Sequence, residues 1–149
     1  MSGRGTPRSE APLTGRCHCG NVEFALESSL RPEALSLRTC TCSFCRRHGA
    51  RTTSDPSGRV VITVRDPEQL LRYRFGLETA DFLVCRRCGI YVAAVMNEGA
   101  GCWATVNVST FDAVDRLTQP MTPVTYDGES APERAARRKA RWTPAVIVA

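Results

Sequence analysis

The sequence has no apolar run approaching the roughly 20 residues that span a bilayer. Its first residues include arginines, but no hydrophobic stretch follows them, so no signal peptide is predicted. Internal repeats and low-complexity segments are also absent from the central part of the sequence. We therefore expect a cytoplasmic protein without a membrane partner, in a reducing compartment that disfavours structural disulfides.

The sequence also has no large excess of charge. It contains 20 Lys and Arg against 15 Asp and Glu, which gives a formal net charge of +5. No compact basic patch with interleaved aromatic residues is present, so nucleic acid is not expected as a partner. At 149 residues, of which 42% are hydrophobic, the chain fits one domain around one core.

Short apolar runs separated by turn residues fill most of the sequence after residue 15. Several of them alternate, as in Val60, Ile62 and Val64, which is the pattern of a sheet with one buried face. The fold class is therefore predicted to be mainly β. The predicted strands are Asn21–Glu27, Leu35–Arg38, Arg59–Val64, Leu70–Phe75, Ala80–Val84, Ile90–Met96 and Trp103–Val108.

One segment, Ser130–Arg141, is predicted as a helix. It has a capping residue at Ser130, Pro132 in the first turn, Glu133 early and basic residues late, an order that complements the helix dipole. A further helical turn is expected near residues 110–114. We divide the chain into a disordered tail over residues 1–13, a domain over residues 14–128, and a C-terminal helix and tail over residues 129–149.

Seven of the eight cysteines fall into three tight clusters. Thiolates one or two residues apart can reach a single tetrahedral metal, and a closed structural zinc site needs four protein ligands whereas a catalytic site uses three. The counts match this division. The predicted closed site is Cys17, Cys19, Cys85 and Cys88, and the predicted open site is Cys40, Cys42 and Cys45.

Other groupings of the cysteines stay open. The clusters could pair differently, or His48, three residues after Cys45, could complete the second site and make it structural. His18, between two predicted ligands, is expected to point away from the metal. Cys102 is left over, and we interpret it as a small buried apolar residue.

Three stretches of the sequence together resemble one family. They are Gly15–Val22 (GRCHCGNV), Cys40–Ala50 (CTCSFCRRHGA) and Cys85–Gly89 (CRRCG), in this order. They are similar to the signature blocks of the glutathione-dependent formaldehyde-activating enzyme/centromere protein V family. The resemblance covers Gly15 to about Phe111, and the arginine-rich helix that runs into Pro144 is similar to the ending of many short bacterial members.

The resemblance implies a β-rich fold of the tent type, with short helical additions. It implies the same division of metal sites, with a structural zinc at the four-cysteine site and a catalytic zinc at the three-cysteine site. The founding enzyme joins formaldehyde to glutathione, so the implied activity is that of a carbon-sulfur lyase acting on a small thiol and a small aldehyde. No glutathione-contacting residue of the family can be placed on this sequence.

Within this hypothesis we assign roles to the residues after the last ligand. Arg46 and Arg47 are candidate partners of substrate carboxylates, and His48 is a candidate proton shuttle beside the catalytic cysteines. Three ligands should hold zinc less firmly than four, so the three-cysteine site is expected to be partly occupied. A homo-oligomer is compatible with this hypothesis. Two alternatives are a non-catalytic zinc module that contacts nucleic acid or protein, and a redox switch at the three-cysteine cluster.

Overall fold

A computed structural model describes residues 11–149 of the chain. In this part the structure has eleven strands and two α-helices, α1 (Ser43–His48) and α2 (Ala131–Arg141). The strands are β1 (Leu13–Arg16), β2 (Val22–Glu27), β3 (Leu37–Cys40), β4 (Thr52–Thr53), β5 (Arg59–Val64), β6 (Leu70–Tyr73), β7 (Asp81–Cys85), β8 (Tyr91–Glu98), β9 (Gly101–Asn107), β10 (Met121–Val124) and β11 (Thr143–Val148). The prediction of a mainly β fold with short helical additions and a C-terminal helix is confirmed.

All of these strands belong to one continuous network of pairs. Its main path runs in the order β1, β2, β5, β11, β9, β4, β3, β10. A branch leaves β9 through β8 and continues to β7 and β6. The last strand, β11, lies parallel to β5 and antiparallel to β9, so the C-terminal segment links the two parts of the network.

The core forms on the buried face of the paired strands β2 and β5. Phe24 pairs with Ile62 and Leu26 pairs with Val60 across the two antiparallel strands, and all four side chains are buried. Phe111 meets Phe24 edge to face, with 5.0 Å between the ring centroids. Side chains two residues apart on a strand share one face, so the alternation seen in the sequence identifies this core correctly.

Helix α2 begins as the sequence predicts. The Ser130 hydroxyl accepts from the Glu133 backbone N–H, and the Glu133 carboxylate accepts from the Ser130 backbone N–H, which forms a complete capping box. The helix ends at Arg141 with Trp142 as its C-cap, and the side chains of Trp142 and Arg138 are both buried. Within residues 11–149, no helix is both long and apolar enough to span a membrane.

Two elements near the site were not predicted. Helix α1 is only six residues long and is capped by Cys42, which is not one of the residues that usually mark a helix start. Strand β11 follows α2, where a tail was expected, and its parallel partner β5 lies far away in the sequence.

Leu13 already belongs to β1, while the rest of the predicted N-terminal tail lies mostly outside the described residues. The helical turn expected near residues 110–114 is replaced by two 3-10 turns, Val108–Thr110 and Val114–Arg116.

Candidate metal centres and the adjoining cavity

Four cysteines from two turns meet in the first cluster. The turn between β1 and β2 contributes two of them, and the end of β7 with the turn that follows it contributes the other two. Gly20 and Gly89 follow these pairs with φ of +85° and +80°, a backbone conformation that residues with a side chain rarely adopt. The four Sγ atoms, those of Cys17, Cys19, Cys85 and Cys88, all lie within 4.8 Å of one another.

The thiols of this first cluster differ in how readily they ionise. Burial raises the pKa of Cys85 to about 11. Burial also raises the pKa of Cys88, but hydrogen bonds from the backbone at Cys19 and Ile90 outweigh it and bring the pKa to about 6. Four soft sulfur donors at this spacing fit one tetrahedral thiophilic metal ion, so the cluster could hold such an ion.

Three cysteines form a second cluster where β3 passes into α1. Cys40 is the last residue of β3, Cys42 is the N-cap of α1, and Cys45 lies in its first turn. The Cys45 backbone N–H donates to Cys42 Sγ at 3.4 Å, and the Cys42 backbone N–H donates to Cys40 Sγ at 3.4 Å. The three Sγ atoms also lie within 4.8 Å of one another.

The three thiols influence one another's pKa values. Hydrogen bonds from Cys40 and Cys45 hold the pKa of Cys42 far below its usual value. Hydrogen bonding to Cys40 and Cys42 raises the pKa of Cys45 far above it. All three thiols would ionise together only with a cation between them, and soft sulfur donors select a thiophilic metal. The cluster therefore fits a metal ion with three protein ligands.

A cavity of about 510 Å³ adjoins the second cluster but not the first. Cys40, Cys42 and Cys45 all line it, whereas none of the four cysteines of the first cluster does. A volume of this size is in the range of pockets that hold small-molecule ligands. The two clusters therefore differ both in ligand number and in access to a space that a substrate can occupy.

Four arginines line the same cavity, and two of them share one carboxylate. Glu129 accepts from Arg134 at 3.2 Å and from Arg137 at 2.8 Å. Arg38 and Arg138 make no ion pair among the described residues. Arg38 and Arg138 were not predicted as site residues from the sequence. The available signal for Arg138 was its position four residues before Trp142, a spacing that places both on one face of a helical turn.

An aromatic group surrounds α1 beside the cysteines. Phe44, which lies between two of the clustered cysteines, packs against Phe82 with 4.7 Å between the ring centroids and against Tyr91 with 4.9 Å. Tyr91 lines the cavity and is 2% exposed, yet its hydroxyl has no hydrogen-bond partner among the described residues. Burial raises the pKa of Tyr91, so its hydroxyl keeps its proton near the three thiols.

The other predicted site residues lie outside the cavity wall. Arg46, Arg47 and His48 are exposed on α1, and none of them lines the cavity. The Arg47 guanidinium donates to the Ser43 carbonyl at 3.4 Å. The His48 ring packs on Phe44, with 4.4 Å between the centroids.

The remaining histidine and cysteine belong to neither cluster. His18 is exposed, and the groups of residues that could hold a metal include neither histidine. Cys102 is half-buried on β9 and lies outside both clusters.

The fold and the two cysteine clusters define a mainly β domain that could bind metal at two places. A sequence model described as "Glutathione-dependent formaldehyde-activating enzyme" matches residues 12–127. The chain belongs to this family. It is also similar to a crystal structure of a Rhodobacter sphaeroides protein from a structural genomics programme, with 37% sequence identity, a TM-score of 0.54, and coverage of 76% of this chain and 100% of the other.

Proposed function

We propose that the chain binds one zinc ion at each cysteine cluster and catalyses the addition of a small thiol to formaldehyde or a related small aldehyde. The observation that carries this proposal is that the cluster with three sulfur ligands forms part of a cavity wall. A catalytic zinc keeps one coordination position open, and the cavity leaves room beside the three cysteines that would hold it. Membership in the formaldehyde-activating family supports the same chemistry.

The two clusters would do different work. Cys17, Cys19, Cys85 and Cys88 would hold a structural zinc, and Cys40, Cys42 and Cys45 would hold the catalytic one. A zinc ion bound by three thiolates supplies a lowered pKa for a substrate thiol, so that a nucleophilic thiolate is present at neutral pH. The reducing cytoplasm, which keeps the seven cysteines available as ligands, is part of this proposal.

The reaction balances without an oxidant or a reductant. The substrate S–H loses its proton, a C–S bond forms at the carbonyl carbon, and the carbonyl oxygen takes up a proton to become the hydroxyl of the adduct. The cavity would hold both substrates beside the cysteines. The Tyr91 hydroxyl lines this space in its protonated form and is available to donate a hydrogen bond to the developing oxyanion.

The roles assigned to the α1 residues stay predictions. His48 would move the proton between the substrate oxygen and solvent, and its ring lies 5.6 Å from that of Tyr91, which lines the cavity. Arg46 and Arg47 would attract anionic substrates from the exposed surface of α1.

Exchange NMR tests the proposed reaction. The zinc-loaded protein is expected to accelerate the interconversion of formaldehyde, glutathione and S-hydroxymethylglutathione above the spontaneous rate, and Cys42→Ser is expected to abolish the acceleration. Cys102→Ser serves as the matched control, since Cys102 lies outside both clusters. No acceleration with both clusters loaded would discard glutathione as the thiol, and equal acceleration by Cys42→Ser would discard the three-cysteine site.

A further inference from the structure

Two guanidiniums in the cavity, that of the buried Arg138 and that of the half-buried Arg38, have no anionic partner among the described residues. Arg138 is 6% exposed, donates to Thr79 through one terminal nitrogen, stacks on Trp142, and has no hydrogen-bond partner for its Nε among the described residues. Arg38 donates to Ser54 at 2.7 Å and to Thr105 at 3.3 Å, both neutral hydroxyls. A buried charge without a counter-charge is unfavourable, so such a pair points to an anion that is not part of the chain.

Neighbouring charges strengthen the positive potential at this wall. Burial, together with the neighbouring Arg137 and Arg134, lowers the pKa of Arg138 to about 10, although Glu129 acts in the opposite direction. Burial also lowers the pKa of Arg38, with a contribution from Arg137 in the same direction. Both guanidiniums remain protonated at neutral pH. The cavity lining has four arginines against two carboxylates, those of Asp127 and Glu129, and Glu129 is already shared by Arg134 and Arg137.

Arg38 lies on the same strand as the first cysteine of the three-cysteine cluster. Arg38 and Cys40 are two residues apart on β3, both line the cavity, and side chains at this spacing share one face of a strand. The Cα atoms of two such residues lie roughly 6.6 Å apart. A small ligand with its sulfur at the cysteine cluster therefore has Arg38 within the same cavity for its carboxylate.

We infer that Arg38 and Arg138 form a carboxylate-binding site, and that the cavity takes a substrate whose carboxylate lies a few bonds from its sulfur. This inference rests on the proposed function only for the identity of the reacting sulfur. The site assigns carboxylate recognition to β3 and α2, whereas the sequence analysis placed it at Arg46 and Arg47 on α1.

Binding of 3-(methylthio)propionate tests the site, with the amide of the same acid as the uncharged probe. Binding is followed by calorimetry and by the NMR signal of the Arg138 Nε–H, which is buried and has no partner within the described residues. We expect saturable binding of the acid and a preference of about tenfold or more over the amide. Arg38→Met and Arg138→Met should each weaken binding of the acid about tenfold or more.

Surface arginines supply the controls. Arg59→Met removes an exposed charge that does not line the cavity, and it should change the dissociation constant by less than about twofold. Equal binding of acid and amide would overturn the inference. Full binding of the acid by Arg38→Met would also overturn it, and this variant decides the test if Arg138→Met does not fold. A loss of acid binding confined to the double variant Arg46→Met/Arg47→Met would overturn it as well.

The outcome is independent of the reaction assay. Arginine-dependent binding of the acid without acceleration of the glutathione reaction would keep the carboxylate site and remove the proposed reaction. Acceleration without carboxylate binding would keep the reaction and remove the site.

Discussion

The sulfur atoms of Cys19 and Cys85 lie 3.6 Å apart although 66 residues separate the two cysteines. This contact brings the turn between β1 and β2 against the turn between β7 and β8. A metal ion at this place would close a long loop of chain, and such an ion contributes its binding free energy to folding.

Replacing Cys19 with serine is therefore expected to destabilise the whole domain. We expect Cys19→Ser to lose one equivalent of zinc and to lower the free energy of unfolding by more than about 4 kcal/mol, because the four-ligand site no longer closes. Elemental analysis and denaturant unfolding measure the two effects.

Cys102→Ala is the matched control for this change, since Cys102 is half-buried but outside both clusters. It should keep both zinc equivalents and cost about 1 kcal/mol. Full zinc content and parental stability in Cys19→Ser would contradict a structural role for this cluster.

Replacing Tyr91 with phenylalanine separates stability from chemistry. The Tyr91 hydroxyl is buried without a partner among the described residues, so its removal should leave the free energy of unfolding unchanged or raise it by about 1 kcal/mol. If the hydroxyl donates to the oxyanion, kcat should fall about tenfold to a hundredfold while zinc content is unchanged. Thermal unfolding and exchange NMR measure the two quantities, and an unchanged rate would remove Tyr91 from the reaction.

The ion pairs of Glu129 should make α2 sensitive to acid. Hydrogen bonds from Arg137 and then Arg134 hold the pKa of Glu129 below its usual value. A lowered folded-state pKa stabilises the fold above the unfolded pKa of about 4.3, and this stabilisation is lost as the pH falls through the folded-state value. Glu129→Gln should therefore be less stable than the parent by about 1 kcal/mol or less at pH 7, and the difference should vanish in acid.

Glu33→Gln is the control for the acid measurement. Glu33 pairs with Arg116 at 3.0 Å, but both side chains are about half exposed, so water screens the pair and the substitution should change stability little. Urea unfolding from pH 7 down to pH 3 follows both variants. A Glu129→Gln variant that differs from the parent equally at both ends of this range would contradict the assignment.

The sequence predicts the parts of this fold that depend on local pattern. The alternation of Val60, Ile62 and Val64, and the capping box at Ser130, are visible within a few residues, and the structure has both. The cysteine spacing predicts which neighbouring cysteines can share a metal, whereas the meeting of Cys17 and Cys19 with Cys85 and Cys88 depends on long-range contacts. Strand β11 and the pairing of its end with β9 depend on long-range contacts that no local pattern reveals.

The residues that form the cavity wall could not be predicted from the sequence for the same reason. Arg38 and Arg138 are 100 residues apart, and both line the cavity only because β3 and α2 meet around it. The position of Arg46 and Arg47 next to a predicted ligand makes them candidates in the sequence, but α1 carries both on its exposed surface. Adjacency along a helix does not establish a shared direction, because successive residues point about 100° apart.

We propose that a substrate thiol binds at the three-cysteine cluster and not at the four-cysteine cluster. Cadmium-113 NMR of the metal-substituted protein tests it directly, because each cluster should give its own resonance and Cys42→Ser identifies the one from the cavity. We expect added glutathione to shift the Cys42-dependent resonance and to leave the other unchanged. A shift of the other resonance alone, or of neither, would contradict it.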